Sequence, residues 1–296
     1  MRTEKQMLEL ILEFARSRDD IRAVVMNGSR VNPNAKKDPF QDYDIACYVE
    51  DVTPYRGNMD IPTFFGDLII MQTPEDMGDP EPDNDGTYGF LMQFTDGNRI
   101  DLSFHPLQSA ANVLQDSLSL VLLDKDGCVP PLPPPSDRGY LPAKPTAKAY
   151  GECCNEFWWL NAYVAKGLWR GELTYARSML DTLMRGELLK MLTWYFGILT
   201  DFIVSAGKYG KFLQAGLSPE EWQMLKNTYA NADPQHTWEA LFTMDELFRH
   251  AAAFVGDAFG FPYPAEDDKR VTAYVQYIRG LPADAQTLEL PESAAD

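Results

Sequence analysis

Asp42 and Asp44 stand two residues apart at the head of an apolar stretch, YDIACYV. If that stretch is a strand, alternate side chains share a face, so both carboxylates point one way while Tyr43 and Ile45 point the other. Two carboxylates held this close repel unless a cation joins them. Hard divalent ions such as Mg²⁺ take oxygen ligands and commonly carry substrate phosphates as well. A third carboxylate, Asp101, lies in RIDLSF, where Ile100, Leu102 and Phe104 form an apolar face and Arg99, Asp101 and Ser103 the opposite one. Three such groups on neighbouring strands predict a two-metal site, in which one ion activates an attacking oxygen and both stabilise a transferring phosphoryl group. Gly28-Ser29 follows the β-branched run IRAVVMN. There a glycine lets backbone approach a phosphate, and exposed N–H groups can cradle it. Ser29 offers a hydroxyl, and Arg30 a guanidinium fork for phosphate oxygens. Gly-Ser, Asp-x-Asp or a lone Asp alone says little. The order strand, Gly-Ser, Asp-x-Asp, distant Asp is what carries the reading.

Those residues need a scaffold, and the pattern supplies one. Met7, Leu8, Leu10, Ile11, Leu12 and Phe14 recur at helical spacing, which predicts an amphipathic helix over 3–17. Strands follow at 21–27, near 43–49 and at DLIIMQ, with a short helix at Ile61 to Gly66. YGFLMQFTDGNRIDLSFHP reads as a hairpin turning at Asp96-Gly97, and LSLVLLDKDG as a last strand. GDPEPDNDG, residues 78–86, reads as a solvated loop whose Asp79, Glu81, Asp83 and Asp85 are candidates for steering a cation inward. The stretch 129–145 carries seven prolines and suits a stiff extended linker. Beyond it the pattern turns helical, with ends expected near Gly171 and Gly186 and further helices near 218–230, 237–256 and 267–280. The predicted architecture is an α+β N-terminal domain over 1–128, a mixed sheet with flanking helices. A proline-rich linker over 129–145 joins it to an all-α helical bundle over 146–296.

Composition narrows the partners. Asp and Glu number 44 against 26 Lys and Arg, a formal net charge of −18. That field repels nucleic acid, whose binding depends on cationic side chains, and attracts a cationic small molecule. Acidity of this kind also serves solubility alone. Four cysteines without CxxC spacing fit reduced thiols and no zinc site. The N-terminal stretch carries charges throughout and does not resemble a signal peptide, and no apolar run is long enough to span a bilayer. The expected setting is the cytoplasm, as a monomer or weak homodimer.

The segment NGSRVNPNAKKDPFQDYDIACYV resembles the signature of the aminoglycoside 6-adenylyltransferases (streptomycin 6-adenylyltransferases), within the polymerase-β-like nucleotidyltransferase superfamily. GNRIDLS, FWW and YVAKGLWRGEL extend the likeness along the whole chain. The resemblance implies transfer of AMP from ATP to the 6-hydroxyl of streptomycin, with Mg²⁺, releasing pyrophosphate and conferring antibiotic resistance. It matches Gly28 and Ser29 to the phosphate-contacting pair, Asp42 and Asp44 to the metal pair, and Asp101 to the third carboxylate. In the helical half no short motif matches. There Lys166, four residues before Arg170, is a candidate for the triphosphate, against the plainer reading of a solvated helix edge. Glu152 and Glu156 share a helical face and, with Trp159, are candidates for a guanidinium-bearing acceptor; ordinary surface and core are the plainer readings. Two alternatives stay open: another acceptor, such as a different antibiotic or a protein, and a nucleotide-binding module without catalysis.

Overall fold

The computed structural model describes residues 1–79 and 86–290. The chain divides into two compact units, Met1–Gly139 and Tyr140–Asp296.

The first unit is built on one six-stranded sheet. Its elements run α1 (Glu4–Arg16), β1 (Ile21–Asn27), β2 (Tyr43–Val49), α2 (Asp60–Phe65), β3 (Leu68–Gln72), β4 (Tyr88–Phe94), β5 (Arg99–Pro106) and β6 (Ser119–Asp124). The strand order is β3-β4-β5-β2-β1-β6. Among the described residues only β2 and β5 pair in parallel, so the sheet is mixed, as the sequence pattern implied. α1 begins with a capping box between Thr3 and Gln6, which satisfies two backbone donors that a helix start leaves without partners. It buries Met7, Ile11, Phe14 and Ala15 against one sheet face. Each large side chain so buried contributes about 1.5–3 kcal/mol. Tyr43, Ile45, Cys47 and Val49 from β2, and Ile100, Leu102 and Phe104 from β5, join the same core. The period-2 pattern of β5 thereby leaves Arg99, Asp101, Ser103 and His105 on the other face. Asp96 and Gly97 make the β4–β5 turn; Gly97 sits at φ +87°, which favours glycine. Arg2 donates from Nε to Asp96 at 2.6 Å, tying that turn to the N-terminus.

The second unit is helical: α3 (Ala147–Trp169), α4 (Leu173–Ser178), α5 (Arg185–Leu199), α6 (Pro219–Asn227), α7 (Pro234–Phe259) and α8 (Ala265–Gly280). Its core stacks Phe157 of α3 on Phe248 of α7, with ring centres 3.6 Å apart. The helix end expected near Gly171 is present, with Gly171 at φ +71°. The one expected near Gly186 is not. A π-helical segment, Met179–Met184, carries α4 into α5 with helical backbone angles at both junctions, and Gly186 is the second residue of α5. Single glycines cost a helix only about 1 kcal/mol, which packing overrides here. Sequence periodicity also did not foresee the run of 3₁₀ turns over Leu107–Gln115.

Candidate active site

The register of the sheet brings the site together. Asp44 lies beside Asp101 across the parallel β2–β5 pair. Asn27 of β1 flanks Asp44 on its other side. Ser119, Asn27, Asp44, Asp101, Leu91 and Gln72 thus form one row across all six strands. The next row on the same face holds small residues, Ala46, Ser103 and Gly89, in register. Small side chains there leave room, and a cleft of about 790 Å³ opens over this face. Asp44, Asp101, Ser103, His105, Glu75 and Asp116 are among its lining residues.

Gly28 explains why a glycine must open the Gly-Ser turn. It holds φ +78°, and a Cβ built on it would fall 2.1 Å from Asp44 Oδ2. Its amide donates to the carbonyl of Leu118 at 3.1 Å. The glycine therefore makes space for the Asp44 carboxylate, while its own amide is committed to Leu118. Ser29 is the middle residue of the same 3₁₀ turn, Gly28–Arg30. Arg30 is engaged elsewhere: Nε donates to the Asp42 carbonyl at 3.1 Å and Nη2 to that of Gln41 at 2.6 Å. Its guanidinium lies 3.6 Å from the Tyr43 ring centre. In this state Arg30 fixes the loop that presents Asp42, and a phosphate contact would require it to release those carbonyls.

The electrostatics fit a crowded anionic site. Burial, then repulsion from Asp101 and Asp42, pushes the Asp44 carboxyl up to about 6, against the pull of Arg99. Burial also raises Asp42, with Arg99 opposing and Asp101 reinforcing. Arg99 grips Asp101 with both forks, Nε to Oδ1 at 2.8 Å and Nη2 to Oδ2 at 2.9 Å. It also lies 3.6 Å from Asp42. The donor set that this arrangement offers is all carboxylate oxygen, which suits Mg²⁺ rather than a soft metal. Among the described residues, no group of three or more His, Cys, Asp or Glu side chains is placed to hold a metal ion; here the Arg99 guanidinium lies against Asp42 and Asp101.

The cleft also includes groups that were not candidate site residues in the sequence. His105 Nε2 lies 2.9 Å from Ser103 Oγ, and Ser103 donates to the Ile45 carbonyl. Both follow Asp101 at two-residue steps, so the alternation that placed Asp101 also pointed to them. Asp116 receives the side-chain amide of Asn27 at 3.3 Å and the amide of Leu118 at 2.9 Å. Glu75 accepts the Gly89 amide at 2.9 Å. Loops carry these two, and no periodic signal marked them.

The candidates in the second unit fall on α3. Glu152, Glu156 and Trp159 lie along one exposed side of it, Trp159 being 61% exposed. Lys148 pairs with Glu152 at 2.6 Å. Lys166 lies over the Tyr163 ring and lines a cavity of about 200 Å³ with Trp169, Arg170 and Tyr274. Of the acidic-loop candidates, Asp79 is exposed, while Glu81, Asp83 and Asp85 lie outside the described residues.

Residues 1–278 match the family described as streptomycin adenylyltransferase. The aminoglycoside 6-adenylyltransferase of Bacillus subtilis (strain 168) is 38% identical over 280 residues, covering 94% of this chain and 98% of its own. The enzyme of that name from Staphylococcus aureus is 38% identical over 266 residues, 89% of this chain and 94% of the other. The Campylobacter jejuni one is 37% identical over 276 residues, 93% and 95% respectively. A crystal structure of an aminoglycoside 6-adenyltransferase from Bacillus subtilis aligns at 34% identity and TM-score 0.46, covering 94% of this chain and 99% of that one. The chain belongs to the streptomycin adenylyltransferase family.

Proposed function

We propose that the protein transfers AMP from ATP to the 6-hydroxyl of streptomycin, releasing pyrophosphate and conferring resistance to the antibiotic. Family membership over nearly the whole chain supports adenylyl transfer to an aminoglycoside. The observation that carries the chemistry is the pairing of Asp44 with Asp101 on adjacent strands, with Gly28 cleared to admit the Asp44 carboxylate.

In this reading Asp42, Asp44 and Asp101 are the residues that would hold Mg²⁺ beside the triphosphate. Bound there, Mg²⁺ neutralises phosphate charge and makes the acceptor hydroxyl more acidic. Ser29 donates its hydroxyl to phosphate oxygens, aided by amides of the turn that follows Gly28 and, once free of its carbonyls, by Arg30. Asp101 accepts the proton of the attacking hydroxyl, which needs a separation of about 2.6–3.2 Å in the loaded enzyme. The oxygen attacks the α-phosphorus in line with the departing pyrophosphate. Lys166 is assigned to the triphosphate, and Glu152, Glu156 and Trp159 to the cationic acceptor, as anionic and aromatic partners for guanidinium groups. The setting is the cytoplasm, where ATP is abundant and the four free cysteines stay reduced. Among the described residues no helix is long and apolar enough to cross a membrane.

Pyrophosphate release tests the assignment, measured with ATP, Mg²⁺ and separate acceptors. Release is expected with streptomycin and is expected to stop when Mg²⁺ is chelated. Release with another acceptor but not with streptomycin would overturn the acceptor, and release under chelation would overturn the metal.

A further inference from the structure

Asp44 and Asp101 line one cleft with Asp42 just before β2, and carboxylates so close repel one another, yet the first unit holds two of the three on a single guanidinium. Arg99 lies two residues before Asp101 on the same face of β5. Its fork meets both Asp101 oxygens at 2.8 and 2.9 Å, and its Nε lies 3.6 Å from Asp42 Oδ2. The three side chains are only 40%, 22% and 37% exposed for Arg99, Asp101 and Asp42, so solvent screens the contact incompletely. The nearby cation Arg30 directs its hydrogen bonds to backbone carbonyls instead.

We infer that Arg99 is the built-in counter-cation of the metal-free protein, bridging Asp101 and Asp42 where a divalent ion would otherwise lie, and that ion binding requires it to let go. The inference rests on the metal reading proposed above. A carboxylate whose two oxygens are both accepting from one guanidinium has its best lone pairs occupied, so an ion and the fork compete for Asp101. Arg99 also has somewhere to go. It borders a second cavity of about 500 Å³, lined with Gln72, Gln93 and Met77. The two glutamines offer amide oxygens to a displaced guanidinium. The bridge gives the empty enzyme a settled site without a metal, and it sets a threshold that the ion must exceed.

Metal binding, read without turnover, separates the possibilities. Mn²⁺ is titrated into the full-length protein alone, and free ion is followed by electron paramagnetic resonance. Arg99→Gln removes the competitor and a like charge, and is expected to bind Mn²⁺ about 3–10-fold more tightly than wild type, as expected for one partly exposed ion pair. Arg99→Lys keeps the charge but loses the fork, and is expected to fall between the two. Without metal, Arg99→Gln is expected to melt below wild type, and saturating Mg²⁺ is expected to narrow that gap. Mn²⁺ affinity equal to or below wild type in Arg99→Gln and Arg99→Lys would overturn the inference, because Arg99 would then support the loaded site. Asp44→Asn serves as the separate control. If it bound Mn²⁺ as wild type does, the metal reading itself would fail, whatever Arg99 does.

Discussion

At the scale of single residues, the site is a compromise between charge repulsion and function. Asp44 is the most strained of its carboxylates, pushed up to about 6 by burial and by its two acidic neighbours. Asp44→Asn removes that repulsion while leaving a side chain of the same shape. Thermal melting without metal is expected to rise by about 2–4 °C, the effect of roughly 1 kcal/mol in a protein of this size, while AMP transfer is lost. A lower melting temperature would show that Asp44 stabilises the empty fold. Gly28→Ala acts in the opposite sense. A φ of +78° costs a residue with a Cβ about 1–2 kcal/mol, and the new methyl must displace the Asp44 carboxylate. A misplacement of that kind lowers turnover on the order of 100-fold. Kinetics and melting curves on the one variant check both parts.

At the scale of elements, α3 and α7 are joined by a buried polar pair. Asn161 donates from Nδ2 to Asp245 Oδ1 at 2.8 Å, while Asn161 Oδ1 and Asp245 Oδ2 have no partner. Burial pushes the Asp245 carboxyl up to about 8, with the Asn161 hydrogen bond and Arg249 opposing and Asp268 and Glu246 reinforcing. Holding a proton spares the buried Asp245 the cost of carrying a charge there. Because the folded value lies above the unfolded one, near 3.9, the folded state holds the extra proton. Stability is therefore full below about pH 4 and is lost as the pH rises through 8. Denaturant unfolding at pH 6 and pH 9 is expected to show wild type weaker at pH 9 and Asp245→Asn unchanged between them. A wild-type stability that stays level across that range would refute this.

The elements also show what the sequence could disclose. The face shared by Asp101, Ser103 and His105 follows from the alternation of β5, and the Asp96-Gly97 turn from its residue types. The likeness of NGSRVNPNAKKDPFQDYDIACYV predicted the family. Strand order was not legible: that β5 lies parallel to β2, bringing Asp44 beside Asp101, depends on long-range pairing, which no local pattern encodes. Nor was the commitment of Arg30 to two carbonyls, since a guanidinium near a phosphate motif looks the same in sequence whichever oxygens it meets. Asp116 and Glu75 entered the cleft from irregular segments, where spacing carries no direction. The uninterrupted passage of α4 into α5 past Gly186 shows packing overriding a local breaker.

At the scale of the molecule, a net charge of −18 shapes encounter more than chemistry. A cationic acceptor is drawn in by the field, and salt shortens its reach, the screening length falling from about 30 Å at 0.01 M to about 8 Å at 0.15 M. The kcat/KM for streptomycin is expected to fall several-fold across that range, while kcat at saturation stays nearly constant. A kcat/KM indifferent to salt would remove steering from the account.

Adenylyl transfer is proposed to depend on metal held by Asp42 and Asp44, at the head of β2, together with Asp101 of β5. Mass spectrometry of streptomycin after incubation with ATP, Mg²⁺ and either wild type or Asp42→Asn tests it most directly. The prediction is a gain of one adenylyl group with wild type and none with the variant, itself shown to be folded by its melting curve. Unmodified streptomycin with wild type, or equal modification by both proteins, would contradict it.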